Sequence, residues 1–119
     1  MALYMVEKLV SGVILLDLRG RVVLGEETEA LRERVKRLLE AGHTRIVLNL
    51  EEVTYMDSSG LSTLVSSFAS VRKQGGELKL LNLTKRVRDL LVITKLSTVF
   101  ETYDTLEDVQ RSFASAPNS

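Results

Sequence analysis

A strand pattern, a long helical pattern and a second strand pattern follow one another in the middle of this chain. Residues 45–50 form a short apolar run typical of a strand, and residues 59–74 place apolar side chains at helical spacing. Gly75 and Gly76 end the helix, and residues 77–82 form the next strand. Such a succession predicts a βαβ unit with parallel strands. This unit restricts the chain to an α/β layered fold.

The segments on either side of this unit add a hairpin and further helices. Residues 2–9 and 13–19 have the pattern of strands, Ser11 and Gly12 indicate a turn between them, and Gly20 is expected to end the second strand. The remaining predicted elements are a helix over Glu26–Glu40, a helix capped by Thr84, an extended segment over 98–102, and a helix that begins at Asp104 and buries Leu106, Val109 and Phe113.

These elements predict a single α/β domain. Their order gives a mixed sheet of four to five strands, packed by about four helices. The domain is expected to span residues 1–113 of the 119-residue chain, and the small and polar residues 114–119 are expected to form a flexible tail.

Charge and composition exclude several function classes. The 16 Lys and Arg residues balance the 16 Asp and Glu residues, whereas a protein held to nucleic acid through phosphate contacts is usually basic. Cysteine is absent and histidine occurs once, which excludes disulfides and thiolate chemistry and argues against a metal site. There is no long apolar run, secretory signal or nucleotide-binding motif. We therefore expect a cytoplasmic protein without cofactor, membrane contact or direct nucleic-acid contact.

The most unusual segment lies between the strand and the helix of the βαβ unit. Residues 55–61 have the sequence Tyr-Met-Asp-Ser-Ser-Gly-Leu. In open α/β sheets, ligands and partners meet the carboxyl ends of the strands, and a helix N-terminus favours an anion such as a covalent phosphate. A structural role is the alternative, in which Ser58 or Ser59 caps the helix and Gly60 allows a tight entry. The local pattern alone favours the structural role.

The same segment resembles the signature of the STAS family, specifically of bacterial anti-sigma factor antagonists. In that signature an apolar residue precedes Asp, Ser, Ser or Thr, Gly and Leu, and this chain matches it at residues 56–61. The strand at 45–50, the segment Gly-Gly-Glu-Leu at 75–78 and the first hairpin also fit. The likeness extends from about residue 3 to residue 113, and motif, spacing and order of elements agree.

The resemblance implies a phosphorylation switch at Ser58. In the family, the Ser directly after the Asp is phosphorylated by a partner serine kinase that is also the anti-sigma factor. The unmodified protein binds the anti-sigma factor and frees the sigma factor, phosphorylation abolishes that binding, and a PP2C-type phosphatase restores it. The catalytic chemistry then belongs to the partners, and this chain is expected to be a substrate and ligand rather than an enzyme.

The residues expected to bind the partner form two groups. They are Asp57, Ser58, Ser59, Gly60, Leu61 and Ser62 from the motif, and Gly25, Glu26, Glu27 and Thr28 from the segment around the start of the first helix. In the second group the chain departs from the family, because many members carry a Leu-Asp pair there and Val23 stands near the Asp position. This departure affects the choice of partner kinase more than the fold.

Two other functions remain open on the sequence alone. The altered segment is compatible with a STAS scaffold of a signalling complex or with an accessory subunit of a lipid transporter. A small hydrolase using Ser58 or Ser59 would need a general base, and the only histidine, His43, lies elsewhere in the sequence.

Overall fold

Nine elements follow the predicted order within residues 3–114, which are the residues that the computed structural model describes. They are β1 (Leu3–Val10), β2 (Val13–Val22), α1 (Glu26–Glu40), β3 (Arg45–Met56), α2 (Ser58–Lys73), β4 (Glu77–Leu81), α3 (Lys85–Ile93), β5 (Thr102–Tyr103) and α4 (Leu106–Ala114). The strands form one sheet in the order β1-β2-β3-β4-β5. β1 and β2 are antiparallel, and the other neighbouring strands are parallel. The predicted mixed sheet with four helices is confirmed.

The predicted hairpin joins β1 to β2 through a two-residue turn. Val10 pairs with Val13, and both turn residues have positive φ angles, 53° for Ser11 and 80° for Gly12. A turn with two positive φ angles matches the right-handed twist of the flanking strands, which explains why the hairpin closes tightly here.

β2 and β3 both continue beyond their predicted ends. β2 runs through Gly20 to Val22, and β3 runs past Leu50 to Met56. The prediction that Gly20 ends β2 is wrong, because this glycine has a φ of 112° and lies at one of two register shifts in the β2–β3 ladder. Glycine is common at such irregularities, since it adopts conformations that other residues avoid. The added length brings the ends of β2 and β3 to the same edge of the sheet.

Helices cover both faces of the sheet, which explains the nearly continuous apolar run at the start of β3. One face packs against α1, α2 and α3 through a core that includes Ile14, Leu16, Ile46, Leu48, Leu78, Leu80, Leu31, Leu38, Leu64, Val71, Val87 and Leu91. The other face packs against α4 through Val13, Leu15, Val47, Leu81, Val109 and Phe113. Alternate residues of a strand point to opposite faces, so β3 supplies both cores.

The layer beneath α4 also contains a buried lysine, which the sequence pattern did not indicate. Lys79 is 4% exposed, and its Nζ lies 3.2 Å from a carboxylate oxygen of Glu77 and 3.2 Å from one of Glu101. It also donates a 2.9 Å hydrogen bond to Ser112 Oγ. Hydrogen bonds from the Tyr103 hydroxyl, the larger cause, and from Lys79 lower the pKa of Glu101. The ammonium group is therefore paired, as a buried charge must be.

The start of α4 differs from the prediction. Thr105, not Asp104, caps the helix, because Thr105 Oγ1 accepts a 3.0 Å hydrogen bond from the Asp108 N–H. Leu106, predicted to be buried, is 36% exposed because it lies at the first turn, ahead of the buried stripe of α4. The cap of α3 is as predicted, with Thr84 Oγ1 accepting from a backbone N–H in the first turn.

The end of the chain differs from the prediction in two further details. The extended segment predicted over 98–102 contracts to β5, because residues 97–99 form a turn. Ala114, placed in the predicted tail, is the last residue of α4, and the remaining tail residues lie outside the described range. None of the helices between residues 3 and 114 combines the length and the apolar character that crossing a membrane requires.

Candidate functional site

The unusual segment lies where β2 and β3 end side by side. Val22 pairs with Met56, and each is the last residue of its strand. The chain leaves β2 through a short loop, residues 23–25, and leaves β3 through Asp57 directly into α2. This edge is formed by the carboxyl ends of parallel strands, the place at which α/β proteins usually build their sites.

The Asp57 carboxylate joins the two chain segments at this edge. Its Oδ1 accepts a 2.8 Å hydrogen bond from the Gly60 N–H, which makes Asp57 the N-cap of α2. Its Oδ2 accepts a 3.1 Å hydrogen bond from the Leu24 N–H in the β2–α1 loop. The interpretation in which Ser58 or Ser59 caps the helix is therefore wrong: α2 begins at Ser58, and the preceding Asp holds the cap position.

The hydrogen bonds also determine the charge of Asp57. Burial is the largest single influence on the pKa of Asp57 and raises it, but hydrogen bonds with backbone N–H groups, those of Gly60 and Leu24 foremost, together outweigh burial. The net effect lowers the pKa below the ordinary value of an aspartate. The carboxylate is therefore ionised at neutral pH.

Gly60 is required at its position because α2 approaches β2 closely. A Cβ atom at Gly60 would overlap the backbone carbonyl oxygen of Val22 and would lie 2.9 Å from Met56 Cγ. The Asp57 N–H also donates a 3.3 Å hydrogen bond to the Val22 carbonyl oxygen. The tight entry predicted for Gly60 is confirmed, and the start of α2 is fixed against the end of β2.

The two groups of predicted contact residues meet at this edge, but their side chains differ in exposure. Ser58, Ser62, Gly25 and Glu26 are exposed, Asp57, Ser59 and Glu27 are half-buried, and Gly60, Leu61 and Thr28 are buried. The Thr28 hydroxyl donates a 3.2 Å hydrogen bond to the Gly25 carbonyl oxygen. Thr28 and Leu61 therefore pack beneath the surface of this edge, whereas the hydroxyl side chain of Ser58 is exposed to solvent.

Comparison with known proteins identifies the family. The model of the STAS domain matches residues 4–109, which is most of the chain. The chain belongs to the STAS domain family. The matched range contains the ends of β2 and β3 and the start of α2. The candidate site therefore lies within the STAS domain.

Two relatives of this chain are named as anti-sigma-B factor antagonists. The anti-sigma-B factor antagonist of Bacillus subtilis is 44% identical over 71 residues, which are 60% of this chain and 64% of that protein. This chain thus matches somewhat less than two thirds of that relative's length. The anti-sigma-B factor antagonist of Listeria monocytogenes is 40% identical over 83 residues, which are 66% of this chain and 73% of that protein.

A solved structure has the same fold. The Bacillus cell fate determinant SpoIIAA in its phosphorylated form superposes with a TM-score of 0.72 at 21% identity, covering 94% of this chain and 99% of that chain. At this level of identity the likeness concerns the fold alone.

Two arginine side chains pack against an aromatic ring beside the candidate site. Tyr55 precedes the motif, and the guanidinium carbons of Arg86 and Arg21 lie 4.7 Å and 5.6 Å from the centroid of its ring. Such contacts contribute about 0.5–1 kcal/mol each at exposed positions. They bring two cations from α3 and β2 to the border of the same edge.

A catalytic pair of Ser58 and His43 does not fit this geometry. His43 precedes β3, and Ser58 follows it, so the twelve-residue strand separates the imidazole from the hydroxyl. A base must lie within hydrogen-bonding reach of the nucleophile. Among residues 3–114, no group of three or more His, Asp or Glu side chains is placed to hold a metal ion.

The close approach at Gly60 predicts an unusual response to alanine. In an ordinary helix, Gly→Ala stabilises by about 0.5–1 kcal/mol. Here we expect Gly60→Ala to lower the free energy of unfolding by about 1–3 kcal/mol, because the added Cβ overlaps the Val22 carbonyl oxygen. Urea unfolding measures the effect, with Ser62→Ala in the same turn as a control that stays within about 0.5 kcal/mol. A Gly60→Ala protein as stable as the wild type would contradict the proposed close packing.

The lowered pKa of Asp57 predicts a pH-dependent contribution to stability. The folded state binds a proton at Asp57 less readily than the unfolded state does, so the contribution is complete above the ordinary aspartate pKa of about 3.9. It is lost as the pH falls through the lower pKa of the folded state. We expect the difference in unfolding free energy between the wild type and Asp57→Asn, measured in urea, to narrow as the pH falls below about 4. A difference independent of pH would show that the carboxylate charge contributes nothing.

Proposed function

We propose that this STAS protein is an anti-sigma factor antagonist controlled by phosphorylation of Ser58. The unmodified protein binds an anti-sigma factor and so frees a sigma factor. The observation that carries the proposal is the exposed Ser58 at the first position of α2, directly after the ionised Asp57 carboxylate. The similarity to two anti-sigma-B factor antagonists supports the same role.

Electrostatics explains how one modification acts as a switch. A phosphoserine adds about −1.5 to −2 charges at pH 7, and the unmodified chain has a formal net charge of zero. At Ser58 this charge would stand beside the Asp57 carboxylate. A partner surface that accepts a neutral serine would then have to accommodate a dianion next to a second anion. An unfavourable charge at an interface costs several kcal/mol. This cost is a large part of the binding free energy of a micromolar complex, which is roughly 8 kcal/mol in magnitude.

The partners supply the chemistry in this proposal. A serine kinase, which is itself the anti-sigma factor, transfers the phosphate to the Ser58 hydroxyl, and a PP2C-type phosphatase removes it. The chain contributes a rigid presentation of the serine, because the cap at Asp57 and the contact at Gly60 fix the start of α2. The protein is therefore a substrate and a binding module rather than an enzyme.

Phosphate mapping tests the modified residue. The protein is incubated with ATP and the purified anti-sigma kinase of the same genome, and the phosphate is located by mass spectrometry. We expect one phosphate on Ser58 in the wild type and none in Ser58→Ala. Ser70→Ala, which changes an exposed serine near the other end of α2, is the matched control and should be phosphorylated like the wild type. Equal phosphorylation of Ser58→Ala and the wild type would refute the assignment.

A further inference from the structure

Leu24 is an exposed apolar side chain at the candidate site, next to the ends of β2 and β3. It is 74% exposed, although both residues before it in the chain are at least partly buried. Gly25 follows it and has no side chain that could shield it. Covering this side chain with an apolar partner surface would therefore be favourable, because burial of a leucine removes apolar area from water.

The fold fixes Leu24 next to Ser58. The Leu24 N–H donates to Asp57 Oδ2, and the Asp57 N–H donates to the Val22 carbonyl oxygen. Asp57 is thus hydrogen-bonded both to the loop that carries Leu24 and to the last residue of β2. Gly60 packs against the same Val22 carbonyl group. The exposed leucine and the exposed serine therefore lie on either side of one carboxylate.

We propose that Leu24 is an anchor for the anti-sigma factor, inserted into an apolar pocket beside the partner's Ser58-binding site and held in place by Asp57. The inference rests on the proposed function and adds an apolar anchor to the second group of expected partner-binding residues, which begins at the neighbouring Gly25. Asp57 acts here as a positioning residue, since it fixes the backbone of Leu24.

The carboxylate between the two exposed side chains is compatible with burial in such an interface. Each Asp57 oxygen already accepts a hydrogen bond from a backbone N–H of its own chain. A charge that is bonded internally costs less to cover than a charge that needs donors from the partner. The partner can therefore offer apolar surface to Leu24 without providing a cation for Asp57.

A binding experiment with matched leucines tests the anchor. Leu24→Ala and Leu9→Ala each remove the same atoms from an exposed leucine, and Leu9 is 64% exposed. Leu9 pairs with Ile14 near the hairpin turn, at the end of β2 opposite to Val22. Affinity for the purified anti-sigma kinase is measured by calorimetry with ADP, so that no phosphate is transferred. We expect Leu24→Ala to weaken binding at least about tenfold and Leu9→Ala less than about twofold.

A double-mutant cycle tests the positioning role of Asp57. Asp57→Ser retains a residue that caps helices well but is too short to bridge Gly60 and Leu24. If Asp57 acts through Leu24, Asp57→Ser weakens binding in the wild type and has a much smaller effect when combined with Leu24→Ala. Additive effects would show that Asp57 does not act through Leu24.

The outcomes separate this inference from the proposed function. Wild-type protein that neither binds the kinase nor accepts phosphate at Ser58 would refute the proposed function. Wild-type protein that does both, together with a Leu24→Ala variant that binds like the Leu9→Ala variant, would refute the anchor alone.

Discussion

The Asp57 carboxylate is the interaction on which the arrangement of the site depends. One oxygen caps α2 and the other holds the β2–α1 loop, so a single side chain aligns two segments that are 33 residues apart in sequence. Because both bonds come from backbone N–H groups, they fix main-chain positions rather than flexible side chains. The exposed serine at the next position is therefore presented on a rigid base.

The sheet makes this junction possible. Parallel pairing ends β2 and β3 at the same level, and the absence of a side chain at Gly60 lets α2 approach the end of β2. Burial on both faces holds the strands in place, with three helices on one side and α4 on the other. In our proposal a partner kinase controls the protein by adding a charged phosphate to Ser58, and the unmodified chain has a formal net charge of zero.

Periodicity predicted most of the fold because burial repeats with the geometry of each element. It was least reliable where neighbouring strands, rather than local composition, decide the structure. Glycine often marks the end of a strand, yet the pairing of β2 with β3 continues past Gly20. Lys79 looks like a solvent-facing residue, yet two carboxylates from β4 and the segment before β5 surround it. No local pattern reports such partners.

The candidate site was predicted in the same uneven way. The motif placed Ser58 and Gly60 at the start of a helix, and the structure has them there. The choice of Asp57 as the cap was missed because Asp and Ser cap helices comparably well and the motif offers both before the helix. The position of Leu24 could not be predicted, because its backbone is held by a hydrogen bond between segments that are distant in sequence. Thr28 was grouped with the contact residues by its position in the chain, whereas its side chain is buried.

A comparison of the unmodified and the phosphorylated protein tests the switch at Ser58 most directly. Protein carrying phosphoserine at position 58, introduced during translation, and unmodified protein are titrated into the same purified anti-sigma kinase with ADP present. We expect the unmodified protein to bind and the phosphorylated protein to bind at least about a hundredfold more weakly. Equal affinities of the two forms would contradict the switch at Ser58.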